Sequence, residues 1–160
     1  MPQAVTLDNL EDILPAKPQF RKFTRDNPPT FAEYEEAVFA TVACIEALGH
    51  KVYGPGLASD PDFPIRELKP GVPSSQVYSF GVVDPEPGTS PVMTVDAAID
   101  FCYEWSGLNR ISLAREPSEE DVLAWYQQFR ACLEAEGVTG VSEASDEELV
   151  YLEWPVECLP

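Results

Sequence analysis

The chain has 160 residues, with Lys plus Arg totalling 10, Asp plus Glu totalling 28, and a formal net charge of −18. A hydrophobic share of 44% is ordinary for a folded protein, and the length suits a single core. The charge excludes unaided binding to nucleic acid or to an anionic membrane, since both need clustered Lys and Arg. No apolar run approaches the roughly 18 residues of a membrane span.

Residues 1–29 read as an extended arm. Met1-Pro2-Gln3-Ala4 has neither a basic start nor an apolar stretch behind it, so no export leader is expected. From Thr6 to Leu14, the residues Leu7, Leu10, Ile13 and Leu14 fall at helical spacing, enough for about two turns that must dock on something to persist. Pro15 and Pro18 stop them. The basic stretch from Lys17 to Arg25 follows, and Asn27-Pro28-Pro29 closes the arm.

The spacing predicts one domain over 30–160, beginning with a helix. Thr30 and Glu33 form a capping box, in which the hydroxyl accepts from a free N–H and the carboxylate reaches back. Phe31, Tyr34, Val38, Val42 and Ile45 make the apolar stripe, and Gly49 ends it. Lys51-Val52-Tyr53 suggests a short strand and Gly54-Pro55-Gly56 a turn. Residues 54–75 read as a long proline-rich loop, with a short strand possible around Phe63-Pro64-Ile65-Arg66. Gln76–Val83 is a better strand, with Tyr78, Phe80 and Val82 on one face.

A second helix is expected over Val95–Ser106, capped by Thr94 and ended by Gly107. Alternation from Arg110 to Ala114 suggests a strand. A third helix opens at Pro117-Ser118, carries Val122, Trp125, Tyr126, Phe129 and Leu133, and stops at Gly137. The last element, Leu149–Val156, alternates Val150, Leu152, Trp154 and Val156 as an edge strand, with Pro155 unable to donate to a ladder. The fold class is therefore α+β: about three main helices on a small mixed or antiparallel sheet. No internal repeat is evident.

Cys44, Cys102, Cys132 and Cys158 include no C-x-x-C pair, and His50 is the only histidine. A zinc site needs four N or S ligands, commonly in paired spacing, so neither metal nor other cofactor is expected. Three of the cysteines fall among apolar helical neighbours. All four read as free thiols in a reducing cytoplasm, with a disulfide from Cys158 left open. His50, just after Leu48-Gly49, reads as a cap on the last helical carbonyls.

The charges are uneven. Residues 71–160 contain Arg110, Arg115 and Arg130 as their only Arg or Lys, yet carry most of the acids. Glu116, Glu119, Glu120 and Asp121 form one acidic cluster; Glu143, Asp146, Glu147 and Glu148 form another. They read either as a solvated face or as a patch matched to a basic partner. They lack the spacing and glycine of a calcium loop. Lys17, Arg21, Lys22 and Arg25, interleaved with Phe20 and Phe23, form the one basic cluster. It reads as a solvated linker or as an arm lying on the acidic surface of its own body or of a neighbouring copy, and only weakly as a nucleic-acid stripe, since the rest of the chain repels phosphate. The candidate partner-binding residues are therefore Lys17, Phe20, Arg21, Lys22, Phe23, Arg25, Glu119, Glu120, Asp146, Glu147 and Glu148.

The element order resembles that of phage tail-completion proteins of the tail-terminator type. It runs from a helix ending at Leu48-Gly49 to Val52-Tyr53, an irregular loop with Asp62-Phe63-Pro64, and a strand at Val77–Val83. A strand near Ile111, a capped helix from Ser118 and a terminal strand at Leu149–Trp154 complete it. The resemblance implies a small acidic α+β subunit that assembles with others at a head–tail joint of a virion. The expected function is thus a non-enzymatic interaction subunit of a larger homo- or hetero-assembly. The alternative is an acidic inhibitor, such as an immunity or anti-defence protein, that blocks a basic partner surface.

Overall fold

The long helix Phe31–Ala47 (α2) follows from its ends and its stripe. Thr30 Oγ1 accepts from Glu33 N–H at 3.2 Å, and Glu33 Oε1 accepts from Thr30 N–H at 2.9 Å. This satisfies two of the donors that a helix start leaves open. Tyr34, Val38, Val42 and Ile45 are buried as expected, together with Ala37, Thr41 and Cys44. Gly49 takes a left-handed φ of +93° to turn the chain away.

These elements are those of a computed structural model that describes residues 7–89 and 91–160. Thr6, the expected start of the first helical segment, lies outside the described residues. The remainder of that segment is a 3-10 turn, Leu7–Asn9, running into the short helix Leu10–Ile13 (α1). The strands are Val52–Leu57 (β1) and Tyr78–Val82 (β2), followed by helices Val95–Ser106 (α3), Leu108–Ala114 (α4) and Glu119–Ala135 (α5).

The class is α+β, but the sheet is only the β1–β2 pair. It is antiparallel: Val83 N–H donates to Lys51 O and Ala58 N–H to Val77 O, each at 2.8 Å, so pairing descends on one strand as it climbs on the other. Gly54-Pro55-Gly56 is therefore strand rather than turn. A Cβ at Gly56 would collide with the Phe63 ring, which explains why glycine stands there. The region around Phe63–Arg66 is irregular and contributes no strand.

Two further expected strands are helical. Arg110–Ala114 belongs to α4, in which Leu108 and Ile111, three apart, are buried while Leu113 is 72% exposed. Leu149–Val156 is not a strand either. Its first residues lie in a 3-10 helix, Asp146–Tyr151, with Leu149 buried and Tyr151 87% exposed, and a second 3-10 turn spans Val156–Cys158. Periodicity over five or six residues does not separate one turn of helix from a strand.

The chain divides into two compact units. The first takes residues up to Pro55 and Phe80–Glu116; the second takes Gly56–Ser79 and Pro117–Pro160. The expected arm goes with the first, and the expected body over 30–160 is shared between the two. In the first unit α2 packs on α3 around Cys44, Ile45, Leu48, Ala98 and Cys102, flanked by Leu10, Leu14, Phe80 and Trp105. Within this apolar contact Thr41 Oγ1 donates to Ala37 O at 2.7 Å and lies 2.6 Å from Ser106 Oγ, which accepts from Leu108 N–H at 3.2 Å. The buried hydroxyls thus serve the start of α4, which has no side-chain cap of its own. Arg115 lies over the Tyr34 ring at 3.7 Å. Burial lowers its pKa from the usual guanidinium value, opposed by the charge and hydrogen bond of Tyr34.

In the second unit Trp125, Phe129, Leu133, Val141, Leu149 and Cys158 form the core, with Leu152 and Trp154 partly buried against it. Phe129 meets Trp125 at 5.3 Å and Trp154 edge-on at 5.7 Å, geometries that aromatic quadrupoles favour. Trp125 Nε1 is buried with no hydrogen-bond partner among the described residues.

The cysteines are not free thiols. Cys44 is bridged to Cys102 and Cys132 to Cys158, which uses all four. The sequence cannot show this because each pair is brought together by packing: α2 against α3 in one unit, and α5 against the C-terminal 3-10 turn in the other. His50 does not cap α2 through its ring. Its Nε2 bonds Met93 O at 3.0 Å, fastening the segment that leads into α3.

A repeat also emerges. At one constant offset, Pro29, Thr30, Ala43-Cys44, Glu46-Ala47 and Gly49 match Pro117, Ser118, Ala131-Cys132, Glu134-Ala135 and Gly137. Both stretches are 17-residue helices with a capping box, a bridged cysteine in the last turn and a glycine at positive φ just beyond the end. The matched residues are caps and a cysteine rather than the stripe, so a search for apolar periodicity passes over them.

Candidate protein-binding surface

The basic arm is fastened to its own unit through Arg21 and its two phenylalanines. Arg21 donates to Asn27 O at 3.0 Å and Pro28 O at 2.8 Å, and pairs with Glu33 Oε1 at 2.8 Å. The loop before α2 is thereby clamped to the capping-box carboxylate. The Thr30 N–H bond, followed by the Arg21 contacts, holds Glu33 below the ordinary carboxylate pKa despite an opposing burial contribution. Two guanidinium groups approach the Phe23 ring, Arg21 at 4.9 Å and Arg110 at 5.4 Å from its centroid. Phe20 lies against Gly107, where an added Cβ would stand 3.5 Å from the ring. Of the expected arm residues, Lys17, Lys22 and Arg25 are exposed, while Phe20, Phe23 and Arg21 secure the arm.

The acidic residues lie on the second unit. Ser118 caps α5, accepting from Asp121 N–H at 3.1 Å, which places Glu119 and Glu120 in the first turn, where the helix dipole favours anions. Asp146, Glu147 and Glu148 open the 3-10 helix that follows the loop after α5. Arg130, in the last half of α5, organises that loop: it donates to Val141 O at 2.7 Å, to Ala144 O at 2.9 Å and to Asp146 Oδ1 at 3.0 Å. Tyr126 is one turn earlier. Burial, with the charges of Glu147 and Asp146, raises its hydroxyl pKa from the ordinary tyrosine value. Glu147 and Asp146 thus sit beside the Tyr126–Arg130 stretch of α5. Glu119 lies about 10 Å along the axis from Tyr126, at 1.5 Å per residue.

Arg66 is likewise drawn inward, donating to Ala58 O at 3.0 Å and Asp60 O at 2.9 Å. Two arginines of this unit therefore hold loop carbonyls. Glu119, Glu120, Glu147 and Glu148 are exposed, and Tyr151, in the same 3-10 helix as Glu147 and Glu148, is exposed as well. The sequence did not single out Arg66, Arg130 or Tyr126, because their roles depend on loops that return from elsewhere in the chain.

The first unit holds a cleft of about 550 Å³ beside His50, with Asp84, Glu86 and Thr89 among its polar lining and Val83 and Val92 among its apolar lining. Another, of about 580 Å³, lies between Leu10 and Leu14 of the arm and Phe101 and Trp105 of α3. Among the described residues, no group of three His, Cys, Asp or Glu side chains is placed to hold a metal ion, and no helix is long and apolar enough to cross a membrane. In comparisons with protein-family models, curated proteins and solved structures, the chain matches none.

Proposed function

We propose that this chain is a non-enzymatic interaction protein that presents the acidic face of its second unit to a basic surface of another protein. The observation that carries the reading is the internal use of Arg66 and Arg130. Both guanidinium groups hold backbone carbonyls, while Glu119, Glu120, Glu147 and Glu148 are exposed, as is Tyr151. Exposed acids speed encounter with an opposite charge, and an exposed aromatic residue supplies an anchor. The arm is secured through Phe20, Arg21 and Phe23, and its exposed cations Lys17, Lys22 and Arg25 are fewer than the exposed acids of the second unit.

A subunit at a virion joint is one assembly such a face would serve. Of the elements read into the tail-terminator resemblance, α2, β1, β2 and α5 are present, whereas the segment near Ile111 is helical and Leu149–Trp154 is a 3-10 helix only to Tyr151 and irregular beyond it. An inhibitor that covers a basic site would use the same residues. Two bridged cysteine pairs favour an oxidising setting, whether exported or carried on a particle, over the reducing cytoplasm.

The test is copurification with the tagged chain, compared with the variant E119K/E120K/E147K/E148K, at low and high salt and followed by light scattering. The wild type is expected to retain a specific protein at low ionic strength and release it as salt rises; the variant is expected to lose it throughout. Retention by the variant, or monomers alone under every condition, would sink the reading.

A further inference from the structure

We infer that the Cys132–Cys158 bridge is a redox-sensitive latch on the C-terminal segment, opened by dithiols ahead of the Cys44–Cys102 bridge. The two helices of the repeat place Cys44 and Cys132 at equivalent positions, so each serves as a control for the other. Their surroundings differ. Cys44 and Cys102 are both 0% exposed, set between two long helices. Cys132 is only partly buried at the edge of its core, and Cys158 is 3% exposed on a three-residue 3-10 turn. Thiol–disulfide exchange requires a thiolate to reach a sulfur, so access selects the bridge that reacts first.

The step balances as follows. A thiolate of the dithiol attacks Sγ of Cys132, the Cys132–Cys158 bond breaks, and the departing Cys158 thiolate takes up a proton. The second thiol of the reagent then attacks its own sulfur in the mixed disulfide and releases Cys132 as a thiol. Two electrons and two protons pass to the protein, and the reagent leaves as its cyclic disulfide. Opening removes the bridge that ties residues 152–160 to α5. Noncovalent contacts stay behind: Leu152, Trp154 and Leu159 on the core, Arg66 over the Trp154 ring at 5.9 Å, the Trp154 Nε1 bond to Val150 O at 3.1 Å and the Ser74 N–H bond to Pro160 O at 2.6 Å. The segment 152–160 then loosens from Phe129 and Leu133.

The experiment titrates the full-length oxidised protein with dithiothreitol under native conditions, traps thiols with iodoacetamide and assigns them by peptide mass spectrometry. Hydrogen exchange is measured in parallel. Cys132 and Cys158 are expected to be trapped together at about one tenth of the reagent concentration that opens Cys44–Cys102. Peptides covering 152–160 should lose protection at that point while those of α2 and α3 keep theirs. A C158A variant should show the same exchange pattern without reductant; if it does not fold, the titration of the wild type decides alone. Simultaneous opening, prior opening of Cys44–Cys102, unchanged protection of 152–160, or thiols already free before reduction would each overturn the inference.

Discussion

Removing the bridge between α2 and α3 should lower stability more than any single side-chain truncation on the surface. The perturbation is C44A/C102A, which avoids placing a new hydroxyl in a site that is 0% exposed. The bridged residues are 58 apart in sequence. Chain entropy for a loop of that length gives about 4 kcal/mol, released to the unfolded ensemble when the tie is cut. The same reasoning applied to the 26-residue separation of Cys132 and Cys158 gives about 3.5 kcal/mol. The assay is equilibrium urea unfolding followed by far-ultraviolet circular dichroism on protein whose oxidation state is confirmed by mass spectrometry. The variant should lose about 4 kcal/mol, with a steeper urea dependence because its unfolded chain exposes more surface. A loss below about 1 kcal/mol in an oxidised wild-type background would refute the assignment of this bridge as a main constraint on the first unit.

Four other outcomes are expected. S106A removes the acceptor of the buried Leu108 N–H and should cost about 1–3 kcal/mol in the same urea assay, whereas a serine bonded only to solvent would cost almost nothing. T30A deletes the cap of α2 and should cost about 1 kcal/mol at neutral pH. Because Glu33 titrates below the ordinary carboxylate value when folded, its contribution is complete above that value and fades as pH falls through the lowered one; E33Q should flatten this part of the acid unfolding profile. Tyr126 behaves in the opposite sense. Its raised pKa means that the folded state holds its full advantage below the ordinary tyrosine value and loses it as pH rises through the raised one. Ultraviolet titration should find a tyrosine ionising late, and Y126F should remove it.

The sequence by itself determined the helices whose signals are local. Thr30 with Glu33, Thr94 and Ser118 mark starts, and Gly49, Gly107 and Gly137 mark stops; all act within a few residues of the backbone groups they satisfy or the turns they permit. The β2 strand and the α+β class follow from the same short-range patterning. The acidic clusters were legible too, since exposure of Glu119, Glu120, Glu147 and Glu148 needs no partner elsewhere. Only the tertiary structure decided what depends on residues distant in the chain. It paired the cysteines, turned the Arg110–Ala114 alternation into a helix by burying Leu108 with Ile111, and drew the basic arm onto Glu33 and Gly107. It also set Arg130 to hold the loop that carries Asp146. The physical reason is that a cap acts through its nearest backbone groups, while a bridge, a buried stripe or a clamp gains its energy only after distant segments meet.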